Sequence, residues 1–297
     1  MQVFVTGASG WIGSAVVAEL IGRGHSVTGL ARSDRAASII DTLGASVRRG
    51  SLDDLDGLRA GAEESDGVVH LGFNHDFSDY AGAGRTERAV VDAFGEVLRG
   101  SDRPLLIAAG LAGFAVRRPA IETDRPEASG PDSPRGGSEG LALSFADRGV
   151  RSISSRFAPT VHGEGDHGFV AELVGIARSR GVSGYVGDGS GRWPAVHRLD
   201  AARAVRLGFE NAPAGSVLHV TAEEGVPTRE IAEAIGRQLG IPAVSVPPEQ
   251  ADEHFGWLGR FFGSDLPASN AATRELLGWT PTHPTLLEDL EAGYYTL

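Results

Sequence analysis

The chain contains no cysteine and no lysine; all 27 of its basic residues are arginine. The absence of cysteine excludes disulfides and thiolate metal sites. No apolar run approaches the ~18 residues that a membrane-spanning helix needs. Met1 leads directly into an apolar run, so no signal peptide is expected and the expected location is cytoplasmic. Positive charge is in deficit as well. The formal net charge is −12, which argues against nucleic acid or an anionic membrane as a partner. What remains is a globular composition, 41% hydrophobic with a mean hydropathy of −0.09. At 297 residues the chain can bury a full core, as one large domain or as a domain plus a lobe.

The most informative segment is Thr6-Gly7-Ala8-Ser9-Gly10-Trp11-Ile12-Gly13. Before it, Val3, Phe4 and Val5 read as a buried strand. After it, Val16, Val17, Leu20 and Ile21 recur at helical spacing and stop near Gly22 and Gly24. A strand, a glycine turn and a helix in that order present free N–H groups and the positive helix end to a phosphate. One glycine permits the turn, one lets a pyrophosphate approach the backbone, and one lets helix and strand pack closely.

Strand and helix then alternate: strands at 26–31, 46–49, 67–72 and 104–109, helices at 35–43, 55–62 and 86–98. This pattern predicts an α/β fold, a Rossmann-type doubly wound parallel sheet with ligands at the carboxyl ends of its strands. Residues 110–135 hold four prolines (119, 126, 131 and 134) and little periodicity, which marks a functional loop or a mobile one. A helix at 137–147 and a strand at 151–156 follow. Residues 1–158 therefore read as the dinucleotide-binding domain, with later strands returning to it. Residues 159–297 read mainly as a smaller, interwoven α/β lobe for substrate, with helices at 169–180 and 228–239; Thr228 is its expected N-cap and Gly240 its stop.

The residues after the second strand select the cofactor. An acidic residue there would bind the ribose hydroxyls of NAD. This chain has Arg32 and Ser33, a guanidinium and a hydroxyl suited to a 2′-phosphate, so NADP(H) is expected. Asp53 is placed to accept from the adenine amino group, or to cap the next helix, or both. Leu71 and Gly72 end the fourth strand at the cofactor edge. The expected cofactor set is thus Thr6, Gly7, Ser9, Gly10, Trp11, Ile12, Gly13, Arg32, Ser33, Asp53, Leu71 and Gly72.

By these residues the chain resembles the extended branch of the short-chain dehydrogenase/reductase superfamily, in an atypical, epimerase/dehydratase-like form. Its Thr6–Gly13 turn, Gly50-Ser51-Leu52-Asp53, Asp66–Leu71, Arg156–Gly165, Gly187-Asp188-Gly189, Val196–Asp200 and Leu277-Gly278-Trp279-Thr280-Pro281 are similar to that family's motifs along nearly the whole chain. The resemblance implies a Ser/Tyr/Lys set in which tyrosine protonates the developing alkoxide, lysine adjusts its acidity and serine binds the same oxygen. None of the three can be placed. Ala108-Ala109-Gly110 stands where serine belongs, Arg135 where tyrosine belongs and Glu139 where lysine belongs. Glu87 lies roughly where the family's helix carries an active-site asparagine. Arginine supplies charge but does not readily exchange a proton.

Replacement proton donors are therefore sought elsewhere. His162 and His167, with Asp166 between them, fall in the loop that by resemblance lies near the nicotinamide, and a histidine there titrates near neutrality. The same histidines could instead cap the helix at 169 or bind ribose. No metal site is expected. His70 reads as a core histidine and His197 as structural. Asn74, His75 and Asp76 follow the fourth strand at the cofactor edge. Phe73, Phe77, Tyr80, Phe114, Trp193 and Phe255–Phe262 could line an apolar pocket or simply pack the lobe.

The resulting expectation is an NADP(H)-dependent oxidoreductase for a small to medium organic carbonyl or alcohol of apolar character, with non-standard proton transfer. Two alternatives stand beside it: a non-catalytic NADP(H)-binding sensor or regulatory protein, and an epimerase/dehydratase-like enzyme of sugar nucleotides. The expected partner is a small-molecule substrate. A homodimer through the helices at 86–98 and 137–147 is a further expectation that the resemblance carries.

Overall fold

A computed structural model describes residues 1–74, 79–111, 114, 118–126, 128 and 130–295, with the backbone alone at 134, 136 and 260. In chain order the first elements are β1 (Gln2–Thr6), α1 (Trp11–Gly22), β2 (Ser26–Ala31), α2 (Asp34–Thr42), β3 (Ser46–Arg49), α3 (Leu55–Glu63), β4 (Gly67–His70), α4 (Tyr80–Leu98), β5 (Pro104–Gly110), α5 (Ser138–Ser144) and β6 (Arg151–Phe157). The next are β7 (Thr160–His162), α6 (Phe169–Arg180), β8 (Ser183–Val186), β9 (Arg192–His197), α7 (Arg198–Asn211), β10 (Ser216–Val220), β11 (Glu223–Pro227), α8 (Thr228–Leu239) and β12 (Ala243–Val246). The chain closes with α9 (Ala251–Phe255), α10 (Gly259–Phe262), α11 (Ala271–Leu277) and α12 (Leu286–Glu291).

Seven strands form one sheet in the order β10-β6-β5-β4-β1-β2-β3, and every pairing in it is parallel. Parallel strands are covered on both faces and so carry apolar runs rather than alternation. Val3, Phe4 and Val5 of β1 and Val68 and Val69 of β4 have no exposed surface. Strand order reverses between β1 and β4, and this opens a crevice at their carboxyl ends where ligands of such sheets bind.

The division at residue 158 is crossed by the chain. β10 joins the large sheet beside β6. α7 packs on α1, where Arg206 Nε donates to Glu19 Oε1 at 2.7 Å and Arg198 Nη2 to Ser14 Oγ at 2.8 Å. The remaining lobe contains a β11-β9-β7 sheet and a β12-β8 pair. Its core gathers Trp193, Phe255, Phe262, Leu286 and Leu290.

α4 begins at Tyr80, six residues before the expected 86, because Asp79 caps it by accepting from Gly82 N–H at 2.9 Å. Thr228 is the first residue of α8 rather than its cap, which is Pro227, and Gly240 ends that helix at φ +67°. Among the described residues no helix is long and apolar enough to cross a membrane.

Candidate functional site

The glycine turn is built for close approach. Gly7 has φ +68°, and a Cβ there would lie 2.7 Å from the Leu71 carbonyl carbon. A Cβ on Gly13 would lie 2.0 Å from Gly7 O. Gly10 N–H donates to Gly7 O at 2.9 Å, and Gly10 caps α1 with no side-chain bond. The first turn of α1 therefore keeps its N–H groups and its positive end for an anion. Thr6, fully buried, ties the turn to β4: its Oγ1 accepts from Gly72 N–H at 3.1 Å and lies 2.6 Å from His70 Nδ1. A Cβ on Gly72 would meet Gly7 N at 3.2 Å, so Leu71 and Gly72 form the other wall of the turn.

Burial first, then the Arg135 charge, lowers the His70 pKa from 6.5 to about 3. The ring is therefore neutral, and its Nδ1 shares a hydrogen bond with the Thr6 hydroxyl. Among the described residues its Nε2 has no hydrogen-bond partner. As pH falls, the unfolded chain protonates at this position before the folded one does. The contribution of His70 to stability is thus full above about 6.5 and is lost toward about 3, at up to about 1.4 kcal/mol per pH unit. Urea melts across this window should show a shallower acid decline in a His70→Asn variant; identical slopes would contradict the assignment.

At the other end of the crevice Arg32 is exposed and, among the described residues, makes no ion pair. Its acidic neighbour Asp34 is engaged by Arg49 at 2.5 Å. Ser33 caps α2, its Oγ accepting from Ala36 N–H at 3.2 Å, so its hydroxyl proton remains available. Asp53 is exposed, and the cap of α3 is its neighbour Asp54, which accepts from Gly57 N–H at 3.0 Å. The capping alternative for Asp53 is thereby corrected: the cap must sit one residue closer to Leu55. Ser9 and Ile12 lie within the turn and at the start of α1.

Trp11 turns the glycine loop toward the lobe. Its Nε1 donates to Val161 O at 2.7 Å, the Arg198 guanidinium lies 4.2 Å over its ring, and the His167 ring is 5.6 Å away at 77°. His167 is exposed beside the glycine turn.

His162 lies elsewhere. It is fully buried, and its Nδ1 is 2.5 Å from Asp289 Oδ2. Its ring packs 5.5 Å from His197, which stacks 4.8 Å from His283. His162 therefore fastens β7 to α12 and has no face open to a substrate, which corrects its expected role as proton donor. His197 caps α7 by accepting from Leu199 N–H at 3.2 Å. Asp166 accepts from Tyr295 Oη at 2.8 Å and from Gly168 N–H at 2.7 Å, rather than forming a unit with the two histidines.

Arg135 and Glu139, at the positions where the resemblance implies tyrosine and lysine, each form an ion pair. Arg135 Nε donates to Glu87 Oε2 at 3.0 Å, and its Nη2 bonds the other carboxylate oxygen. Glu87 is 2% exposed. Burial raises its pKa, and the charge and hydrogen bonds of Arg135 oppose the rise. The Arg135 guanidinium also lies 4.5 Å over Phe73, against whose ring Tyr80 packs edge-on at 5.8 Å. Arg135 has φ +58°, a left-handed backbone that a residue with a Cβ adopts only at a cost. Glu139 holds the fully buried Arg156 at 2.7 Å and 3.1 Å and accepts from Ser154 Oγ at 2.6 Å. Arg135 thus presents positive charge at the carboxyl end of the sheet, held rigidly by a buried carboxylate. Sequence reasoning named all four residues but not the pairing. Opposite charges at these two positions were the available signal. His75, Asp76 and Phe77 lie outside the described residues.

An open glycine turn at the β1/β4 switch point defines a dinucleotide-binding α/β protein. The NAD dependent epimerase/dehydratase family matches residues 3–88. An uncharacterized protein of Schizosaccharomyces pombe is 46% identical, covering 99% of this chain and 100% of its own length. An uncharacterized protein of Saccharomyces cerevisiae is 45% identical, with 99% of each chain covered. A 3-diazoavenalumate denitrifying reductase of a Streptomyces species is 27% identical over 98% of this chain and 99% of its own. Among solved structures, the UDP-glucose 4-epimerase of Thermotoga maritima superposes with a TM-score of 0.77 at 20% identity, covering 99% of this chain and 97% of the other. With the two yeast proteins the chain belongs to the NAD dependent epimerase/dehydratase family, whose model covers its glycine turn, and it has a Rossmann-type fold.

Proposed function

We propose that the protein is an NADP(H)-dependent reductase of small to medium organic carbonyl compounds of apolar character, with Arg135 in place of the usual tyrosine. The single observation that carries the cofactor half is the uncapped turn at Gly7–Gly13, whose space a Cβ would fill. The reductase half draws support from the 27%-identical reductase among its relatives.

A nicotinamide dinucleotide bound there would supply hydride. The N–H groups of α1 would hold its pyrophosphate, and Arg32 and Ser33 its 2′-phosphate. Arg135 has a different task from a tyrosine. Its charge, fixed by Glu87, would stabilise an oxyanion without giving up a proton. The proton then comes from water. The absent Ser/Tyr/Lys set favours one second reading, a dinucleotide-binding sensor without turnover.

NADP(H) preference is tested at Arg32. A guanidinium–phosphate hydrogen bond is worth about 1.5–3 kcal/mol, so Arg32→Ala should weaken NADPH binding roughly 10- to 100-fold and leave NADH binding within about twofold. Equal losses for both cofactors in a calorimetric titration would contradict the assignment.

A further inference from the structure

α12 and the segment after it return to the glycine turn, and two attachments hold them there. Asp289 Oδ2 of α12 lies 2.5 Å from His162 Nδ1, and the residue before His162, Val161, accepts from Trp11 Nε1 at 2.7 Å. Tyr295 Oη donates to Asp166 Oδ2 at 2.8 Å, and the residue after Asp166, His167, meets the Trp11 ring at 5.6 Å and 77°. Both attachments thus end next to a residue that touches Trp11, the first residue of α1.

Tyr295 is itself firmly placed. It is 8% exposed and packs in the lobe core, to which Val170, Leu173 and Val174 of α6 also belong. Arg178 Nη2 donates to its carbonyl oxygen at 3.2 Å. Burial and then the Asp166 charge raise the pKa of its hydroxyl, so it keeps its proton and is the donor. Asp166 is tied twice more. Its other oxygen accepts from Gly168 N–H at 2.7 Å, and its own N–H donates to Gly163 O at 3.1 Å.

The loop at 163–168 needs such ties. Gly163, Gly165 and Gly168 make up half of it, and glycine loses the most backbone freedom on ordering. Gly165 lies against Trp11, where a Cβ would stand 3.9 Å from Cζ3. His167 is exposed at this edge. An imidazole N–H there can donate to an oxygen of a phosphate held by the first turn of α1.

We propose that Tyr295, acting through Asp166, positions His167 as a contact that the lobe makes with the dinucleotide held at the glycine turn. Tyr295 and Asp166 are positioning residues; they act through the loop backbone, and His167 is the binding residue. A loop ordered beforehand loses less entropy when the dinucleotide binds. This rests on the reading of the turn as a dinucleotide site and adds to it residues far along the chain.

The test measures NADPH binding and dissociation with the full chain. His167→Ala should weaken NADPH binding about 3- to 10-fold. Tyr295→Phe keeps the packed ring and removes the bond, and should weaken binding by a similar factor, chiefly through faster dissociation. The double variant should bind no more weakly than His167→Ala, because the tyrosine acts only through that histidine. Hydrogen exchange reads the same link without cofactor. In Tyr295→Phe the amides of 166–168 should exchange faster, while those of β1 and β4 keep wild-type protection. Wild-type affinity in His167→Ala would overturn the proposal, whatever the fate of the tyrosine variant. So would losses that multiply in the double variant, or exchange at 166–168 that Tyr295→Phe leaves unchanged. Failure of the cofactor reading shows separately, as a wild type that binds no NADPH.

Discussion

Gly13→Ala should lower NADPH affinity more than ~100-fold. The added Cβ would stand 2.0 Å from Gly7 O and 2.7 Å from Gly7 C. These are backbone atoms, so the glycine turn or the start of α1 must shift. Either shift removes several N–H groups from one phosphate at once, each worth about 1.5–3 kcal/mol in a charged hydrogen bond. Overpacking of this kind also costs about 1–3 kcal/mol of stability, so the melting temperature falls as well. Gly22→Ala is the control on the same helix, because a Cβ there meets nothing within 4 Å. It should leave NADPH affinity unchanged and stabilise the fold by about 0.5–1 kcal/mol. Equal affinities for Gly13→Ala and wild type would mean that the dinucleotide does not use this turn.

Arg135→Ala should have the largest effect on turnover and stability together. It leaves Glu87, 2% exposed, without its counter-charge, and breaking a buried pair from one side costs about 3–5 kcal/mol. The pH dependence has a definite sign. Burial already raises the Glu87 pKa and Arg135 opposes this, so losing Arg135 raises it further. A carboxyl whose folded pKa exceeds its unfolded one favours folding below the unfolded value and loses that contribution as pH rises through the folded value. The variant should therefore come closest to wild-type stability in acid and fall furthest behind it near neutrality. Arg135→Met with Glu87→Gln removes both charges and should recover most of the stability. It should recover none of the turnover, because an oxyanion donor is worth about 10²–10³ in kcat. Recovery of both would reduce the pair to a structural role.

The part of the fold legible in the sequence is the part dictated by local chemistry. β1, the glycine turn and α1 declare themselves through an apolar run, glycines at fixed offsets and helical spacing. β1, β4 and β5 are apolar runs, and the expected strands at 26–31, 46–49, 67–72, 104–109 and 151–156 end within two residues of the observed ones, whereas β10 has no counterpart among them. α4 was foreshortened because Gly82 and Gly84 dilute its helical signal, while its start depends on a single cap, Asp79. The lobe's β8, β11 and β12 are four or five residues long and carry no periodicity to read.

The site was legible as an absence before it was legible as a structure. Arg135 and Glu139 could be seen to displace tyrosine and lysine. That Glu87 meets Arg135 across 48 positions, and Glu139 meets Arg156 across 17, needed the packing of α4, α5 and β6. His162 misled for the same reason. Its loop motif suggested a role beside the cofactor, yet its partner Asp289 lies 127 residues away, beyond the reach of any local pattern.

The most direct measurement is single-turnover oxidation of bound NADPH with a panel of neutral apolar ketones and aldehydes, in the wild type and in the Arg135→Met/Glu87→Gln pair. The account predicts hydride transfer by the wild type and at least ~100-fold slower transfer by the variant at unchanged NADPH affinity. Tight NADPH binding by a wild type that transfers hydride to no member of the panel would contradict it, and would leave the glycine turn as the site of a sensor.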